Sequence, residues 1–480
     1  MRWYRDQNLW AAVAVGFVLR VLPMALWPFD SCVRDECTYA KLAGRFASGQ
    51  GMTTSIGWLW APGYPAYLGA HRAVFGWASA GKGLQIVAAA GATVLVYLLA
   101  RRTFARRGDA IPDVAAGRRA GLIAAWLYAT SAHMAFFAGR LWSEVLYGAI
   151  LLGGLLLFAE ARDALSARFS RFAGDDGLAR KRAVQFATLV GVTVGVCVLF
   201  RGVAQYMLPI FIAGFLWGRL RQGTAWMQSL VLVAATVLVA APYSIHATQK
   251  FDTFVLSDKT MGRMMWLGNN DFQPITFDYG NGQLSRTAYA RTGLAGRGPC
   301  APKADAMALD ACSTEQSVEW IKDNPEEFVR RMPVRVAQML NPHSLLTRHL
   351  RWGKFKGMPQ WMDELIVLWQ AAGSVGVMLL GMMGLVSRGK GAQGSVIFGI
   401  LLYHVAAISL LAGLSRYRVP LEPLLMIYAG GLLAHPKATW AEVRSSPGWW
   451  RLWATGLVTA ILIPLILWYL PAGWPTWRTW

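Results

Sequence analysis

The chain is poor in charge. Only 15% of its 480 residues are Asp, Glu, Lys or Arg, against roughly 25% in ordinary soluble domains, while 55% are hydrophobic. That composition excludes a water-soluble enzyme. Acidic residues are the scarcer sign, 26 against 47 Lys and Arg, for a net charge of +21. In a soluble chain such an excess would suggest nucleic acid as partner. Here no binding module is left once the apolar runs are set aside, so a nucleic-acid partner is not expected. The sequence also has no Gly-rich phosphate loop opening a helix, no Ser/His/Asp constellation and no ligand spacing that demands a metal. No metal or other cofactor is therefore expected. It has no internal repeat either, which removes support from an inverted-repeat transporter.

What the chain does have is apolar runs approaching the ~20 residues that cross a bilayer as helix. Eleven spans are expected, near 9–28, 84–100, 120–138, 143–160, 184–200, 203–218, 226–246, 365–386, 394–413, 419–434 and 452–470. The fold class is an all-α polytopic membrane protein. Between the runs, Arg101 to Arg119 carries six arginines against two aspartates, and Arg162 to Arg182 carries five arginines and one lysine against three aspartates. Both read as cytoplasmic loops under the positive-inside rule. Arg2 and Arg5 at the N-terminus agree with that orientation, and the first run is expected to be a retained helix rather than a signal peptide.

Two segments then fall on the outer face: a first loop, 29–83, whose stretch from Trp58 to Trp77 suggests interfacial helices, and a nearly neutral polar segment, 247–364. The expected organisation is a seven-span module at 1–246, an extracytoplasmic domain at 247–364 and a four-span module at 365–480. Within the second segment, Thr314 to Met339 reads as two surface helices interrupted at Asn324-Pro325. Cys300 and Cys312 lie on this outer side, where a disulfide can form. A Cys32–Cys37 bridge is the less favoured pairing, because it would constrain chemically important neighbours.

Those neighbours are Arg34-Asp35-Glu36, directly after the first span. A carboxylate there can take a hydroxyl proton, and an adjacent cation keeps it ionised; a solvated loop cluster is the alternative. Further on stand Tyr39-Ala40, then Pro62-Gly63-Tyr64-Pro65, Arg140-Leu141-Trp142-Ser143-Glu144, Leu267-Gly268-Asn269-Asn270 and Ser415-Arg416-Tyr417-Arg418-Val419-Pro420. His133 and His404, each on an apolar helix, read as hydrogen-bonded core residues. Arg20, inside the first span, reads as snorkelling or pairing within the bundle.

In this order, these elements resemble the GT-C glycosyltransferases, in the branch of the protein O-mannosyltransferases and the aminoarabinose transferases of lipid A. The resemblance implies a polyprenyl-phosphate sugar donor and membrane lipid as partners. It also implies an acceptor that is a glycan, glycolipid or protein on the extracytoplasmic face of the plasma (inner) membrane, and inversion at the anomeric carbon. By the same resemblance Asp35 is the general base and Glu36 its neighbour. Arg416, Arg418, Arg201 and Arg140 are candidates for the donor phosphate, since a guanidinium fork suits phosphate oxygens. Arg34, Tyr39, Tyr64, Glu144, Asn269, Asn270 and Tyr417 complete the expected substrate pocket. The sequence departs from the aminoarabinose transferases at Thr38 and Ala61, where those enzymes carry basic residues, which argues against aminoarabinose as the sugar. A flippase of lipid-linked saccharides and a surface-glycan polymerase or ligase are the competing readings.

Overall fold

The computed structural model describes residues 3–28, 32, 35–51, 58–77, 80–105, 113–164, 176–271, 300, 305–342, 344–351, 353–389, 391–437 and 441. Helix α1 (Gln7–Leu26) has twenty residues, about 30 Å of rise, which matches a bilayer core. Asp6, just before it, is buried and takes two hydrogen bonds from Arg118, at 2.6 and 2.9 Å. Helices α2 (Asp35–Ala47) and α3 (Gly63–Phe75) occupy the first connection and pack on each other. Then come α4 (Ala80–Ala105), α5 (Val114–Ala129) and α6 (Ala132–Ala138).

Helices α5 and α6 are bent by 57°, and the bend has a local cause. The Ser131 hydroxyl accepts from the Met134 amide at 3.3 Å and so starts a new helix. The carbonyls released at the end of α5 are taken by Arg20 of α1, which donates to Ala129 at 3.1 Å, to Tyr128 at 3.2 Å and to its own Gly16 at 2.7 Å. The costly arginine of the first span is thus paired within the bundle, at the negative end of a helix.

Helices α7 (Glu144–Asp163), α8 (Asp176–Phe200), α9 (Leu208–Leu216) and α10 (Gly223–Phe251) follow. Helix α8 presses so closely on α10 that a Cβ on Gly191 would strike the Leu232 carbonyl, the small-residue packing that suits apolar helices without a hydrophobic drive between them. After α10 come the shorter helices α11 (Met261–Gly268), α12 (Ala306–Asp323), α13 (Pro325–Leu340) and α14 (Leu345–Arg351). Last are α15 (Gln360–Arg388), α16 (Gly391–Leu410) and α17 (Glu422–Ala434).

Among the described residues, seven helices are long and apolar enough to cross a membrane, and the bent α5–α6 pair makes up to eight. Three of the eleven expected spans are not among them. The run at 203–218 becomes a 3-10 turn, Gly202–Met207, followed by the nine residues of α9. The run at 419–434 yields a helix of thirteen residues, and 452–470 lies outside the described residues. Hydropathy registers apolar length but not that such a run is broken or enclosed. Helix α17 is enclosed: Glu422 to Gly431 are all buried, and it packs on α15, α5 and α4, as expected of a helix apolar all round.

The break expected at Asn324-Pro325 separates α12 from α13, with Pro325 at the first helical position. The expectation that both are surface helices is corrected for α13. Its inner face buries Arg331, Arg335 and Gln338, and Arg335 donates to the carbonyls of Gly268 at 2.7 Å and Ser409 at 2.8 Å, binding α13 to the ends of α11 and α16.

Candidate active site

Five connections meet at one end of the bundle: the start of α2, the start of α7, the turn after α8, the segment leading into α11, and the 3-10 turn Ser415–Arg418 between α16 and α17. An antiparallel bridge from Leu59 to Lys259 fastens the first connection to the segment before α11. Together they enclose a cavity of about 260 Å³. Four arginines line it, Arg201, Arg263, Arg348 and Arg416, against two aspartates, Asp35 and Asp258. Aromatic rings of Trp60, Trp142, Tyr147 and Tyr417 form much of the remaining wall. A cavity of this charge favours an anion, and its apolar wall favours a ligand with a greasy part.

Asp35 sits at the first turn of α2, and its Oδ2 lies 2.6 Å from the Arg416 guanidinium. Arg263 approaches Oδ1 at 3.9 Å. Arg416 also stacks over Trp142, 4.5 Å from the ring centroid. Burial works against its charge, but the Asp35 carboxylate, with Tyr417 and Glu144 behind it, more than offsets this and holds the guanidinium well above the usual arginine range. Arg201 follows α8 and is paired with Glu144 at 2.7 Å; it also donates to the Ser143 hydroxyl at 3.2 Å. Burial, with the Glu144 charge adding to it, pushes the Tyr39 phenol up to about 12, so it stays a proton-bearing donor in the wall.

Of the residues expected from the sequence, Asp35, Tyr39, Arg201, Arg416 and Tyr417 line the cavity. Glu144 stands behind it, holding two of its arginines. The others among the described residues are not brought to it. Glu36 is buried in an ion pair with Arg140 and accepts from the Leu141 amide at 2.9 Å, so both members of that pair hold the start of α2 to the start of α7. Arg418 turns the opposite way from Arg416. It is buried against Glu422 at 2.6 Å, with the carbonyls of Met339 and Asn341 and the Ser374 hydroxyl as further partners. In a 3-10 turn, residues two apart face different sides, so two arginines two positions apart cannot both face the cavity.

Tyr64 donates to Gln85 at 2.9 Å inside the bundle. Asn269 accepts from Arg335 at 2.7 Å, and Asn270 donates to the Trp266 carbonyl, so this pair closes α11 rather than meeting a ligand. Arg34 lies outside the described residues. Both cysteine pairs are disulfides, Cys300–Cys312 as expected and Cys32–Cys37 against expectation. Cys37 is already fixed in the first turns of α2, so its bond to Cys32 tethers the incoming chain to that helix and leaves the Asp35 side chain facing Arg416.

Besides Arg348, sequence reasoning missed three charged or imidazole-bearing residues that line the cavity. Arg263 lies on α11 over the face of Trp60, 5.2 Å from its centroid. Asp258 sits against the turn after α8, and burial, with Asp310 adding to it, pushes its carboxyl up to about 6. His404 is hydrogen-bonded to the Ile400 carbonyl at 2.8 Å, as expected of a core residue, yet its ring also lines the cavity. A lone charge inside a short apolar helix was the available signal for Arg263. For the other two only the fold brings the residue near Asp35.

No protein-family model and no curated protein sequence matches the chain. Solved structures do. The apo crystal structure of the Archaeoglobus fulgidus oligosaccharyltransferase matches with a TM-score of 0.51 and 14% identity, over 98% of this chain and 56% of that one. The archaeal oligosaccharyltransferase AglB from Archaeoglobus fulgidus, in complex with an inhibitory peptide and a dolichol-phosphate, gives 0.49 and 14% over the same shares. ArnT from Cupriavidus metallidurans, bound to undecaprenyl phosphate, gives 0.41 and 13%, over 92% of this chain and 79% of that one. The chain thus spans about half the length of the oligosaccharyltransferases it matches. At the level of fold, the helical arrangement is similar to that of the Archaeoglobus fulgidus oligosaccharyltransferase.

Proposed function

We propose that the chain is an inverting glycosyltransferase. It moves a monosaccharide from a polyprenyl-phosphate sugar to a hydroxyl of a glycan, glycolipid or protein on the outer face of the membrane. The observation that carries this reading is Asp35 set 2.6 Å from Arg416 in a cavity lined by further arginines and by aromatic rings. Each part has a task. Asp35 takes the proton of the acceptor hydroxyl as its oxygen attacks the anomeric carbon. The bond from that carbon to the phosphate oxygen breaks, and Arg416, Arg201 and Arg263 stabilise the charge that collects on the leaving phosphate. The aromatic wall suits a sugar face and the first units of an isoprenoid. In this scheme the segment at 247–364 is extracytoplasmic, and the protein resides in the plasma membrane.

The test uses the full chain in lipid nanodiscs with a panel of polyprenyl-phosphate monosaccharides and an envelope extract as acceptor. Release of polyprenyl phosphate that requires the acceptor, and that falls by roughly 10²–10⁴-fold in Asp35→Asn, is the expected result. Unchanged release in a folded Asp35→Asn would remove Asp35 as the base. No release from any donor would turn the assignment toward a flippase or a glycan ligase.

A further inference from the structure

The base and its strongest cation occupy each other. Asp35 and Arg416 approach at 2.6 Å, with both side chains 15% exposed. A carboxylate saturated by a guanidinium is a weak proton acceptor, and a guanidinium saturated by a carboxylate is a weak phosphate site. Both jobs cannot be done from this ion pair as it stands. Around it, Arg416 keeps other support: the Trp142 face at 4.5 Å and Glu144 at 3.8 Å. Arg263 lies 3.9 Å from the other oxygen of Asp35, a second cation beside the pair.

Resting on the glycosyl-transfer reading above, we propose that Arg416 is a counter-ion exchanged between Asp35 and the donor phosphate, so that donor binding releases the base and must precede productive acceptor attack. The exchange balances electrically at every stage. The donor phosphodiester carries one negative charge and draws Arg416 partly away from Asp35. As the acceptor oxygen bonds to the anomeric carbon, the hydroxyl proton passes to Asp35, whose charge disappears. The electron pair of the broken carbon–oxygen bond goes to the phosphate, whose charge rises to about two. Negative charge thus leaves one side of Arg416 as it appears on the other, and the guanidinium follows it without an uncompensated ion in the cavity. Trp142 and Glu144 hold the arginine within reach of both partners.

Linkage makes this measurable. If Asp35 and phosphate compete for Arg416, each weakens the other by the same factor. The counter-intuitive consequence is that removing the base improves binding of the leaving group. The experiment is calorimetric titration of undecaprenyl phosphate into wild-type, Asp35→Asn and Asp35→Ala protein in nanodiscs, with Arg416→Ala and the double variant Asp35→Asn/Arg416→Ala closing the cycle. Asp35→Asn and Asp35→Ala should bind about tenfold more tightly than wild type, and this gain should vanish in the Arg416→Ala background. Equal or weaker binding by both Asp35 variants, with wild type binding and transferring sugar, overturns the exchange and leaves the glycosyl-transfer reading in place. A gain that survives Arg416→Ala overturns it too, because the competition would then run through another cation. Absence of binding by folded wild type removes the lipid-phosphate reading and the exchange with it.

Discussion

A single carboxylate oxygen of Glu144 lies 2.7 Å from Arg201 and 3.8 Å from Arg416, so one residue at the start of α7 sets the spacing of two cavity arginines. Like charges brought together in this way repel unless an anion stands between or beside them. Glu144 supplies that anion from behind the wall, and both guanidiniums still line the cavity.

Replacing Glu144 by Gln keeps the shape and removes the charge. Turnover should drop by roughly 10²-fold, because without the shared anion the arginines repel each other and a displacement of about 1 Å is enough for such a loss. Steady-state kinetics on the release assay checks this, and a Glu144→Gln enzyme with wild-type kinetics would demote Glu144 to a packing residue.

Arg416→Ala removes the charge nearest the leaving group and should lower kcat/KM by roughly 10²–10³-fold. Arg201→Ala should cost less and raise KM more than it lowers kcat, since Arg201 is held by Glu144 and Ser143 rather than by the base. Arg416→Ala and Arg201→Ala variants with the same kinetic profile would contradict this division of labour.

Arg418→Ala acts on stability. It strands Glu422, which is also hydrogen-bonded to His133 at 2.8 Å in a fully buried cluster. Truncating one member of such a buried pair costs about 3–5 kcal/mol. Thermal unfolding in detergent should register the loss, and the remaining folded fraction should keep the donor KM of wild type. A raised KM in folded Arg418→Ala would return this residue to the phosphate site.

Asp258 gives a pH signature. Its folded carboxyl, near 6, lies above the usual aspartate range, so the folded state holds a proton that the unfolded chain has lost. The stabilisation from that proton is complete below about pH 4 and disappears as pH rises towards and through 6. Comparison of melting temperatures for wild type and Asp258→Asn from pH 4 to 7 should show a decline in wild type that the variant lacks. Parallel curves for the two proteins would show that burial does not shift this carboxyl.

The sequence was most informative where a residue's role depends on its neighbours in the chain. Asp35 after the first span, Arg416 in Ser415-Arg416-Tyr417 and Glu144 in its Ser-Glu element were each legible, and the fold brings all three together. Arg418 was misread because its motif does not reveal which way a 3-10 turn points successive side chains. Glu36 and Arg140 were read as chemical, yet they satisfy each other inside the bundle, a pairing across 104 positions that no local pattern announces. Two of the expected spans, 203–218 and 419–434, yield only short helices, for a related reason. The apolar run of α17 looks like a crossing helix in composition, but its apolarity answers to protein on every side.

That short helix has a consequence for depth. Thirteen residues rise about 20 Å, some 10 Å less than the hydrocarbon thickness. If α17 ends near one surface of the bilayer, the turn that precedes it starts below the opposite surface. Irregular backbone is tolerated at that level only where protein or a water-filled hollow surrounds it. Under the proposed function, that depth would let Arg416 and Tyr417 meet an isoprenoid-borne phosphate from the side, without lifting it out of the leaflet.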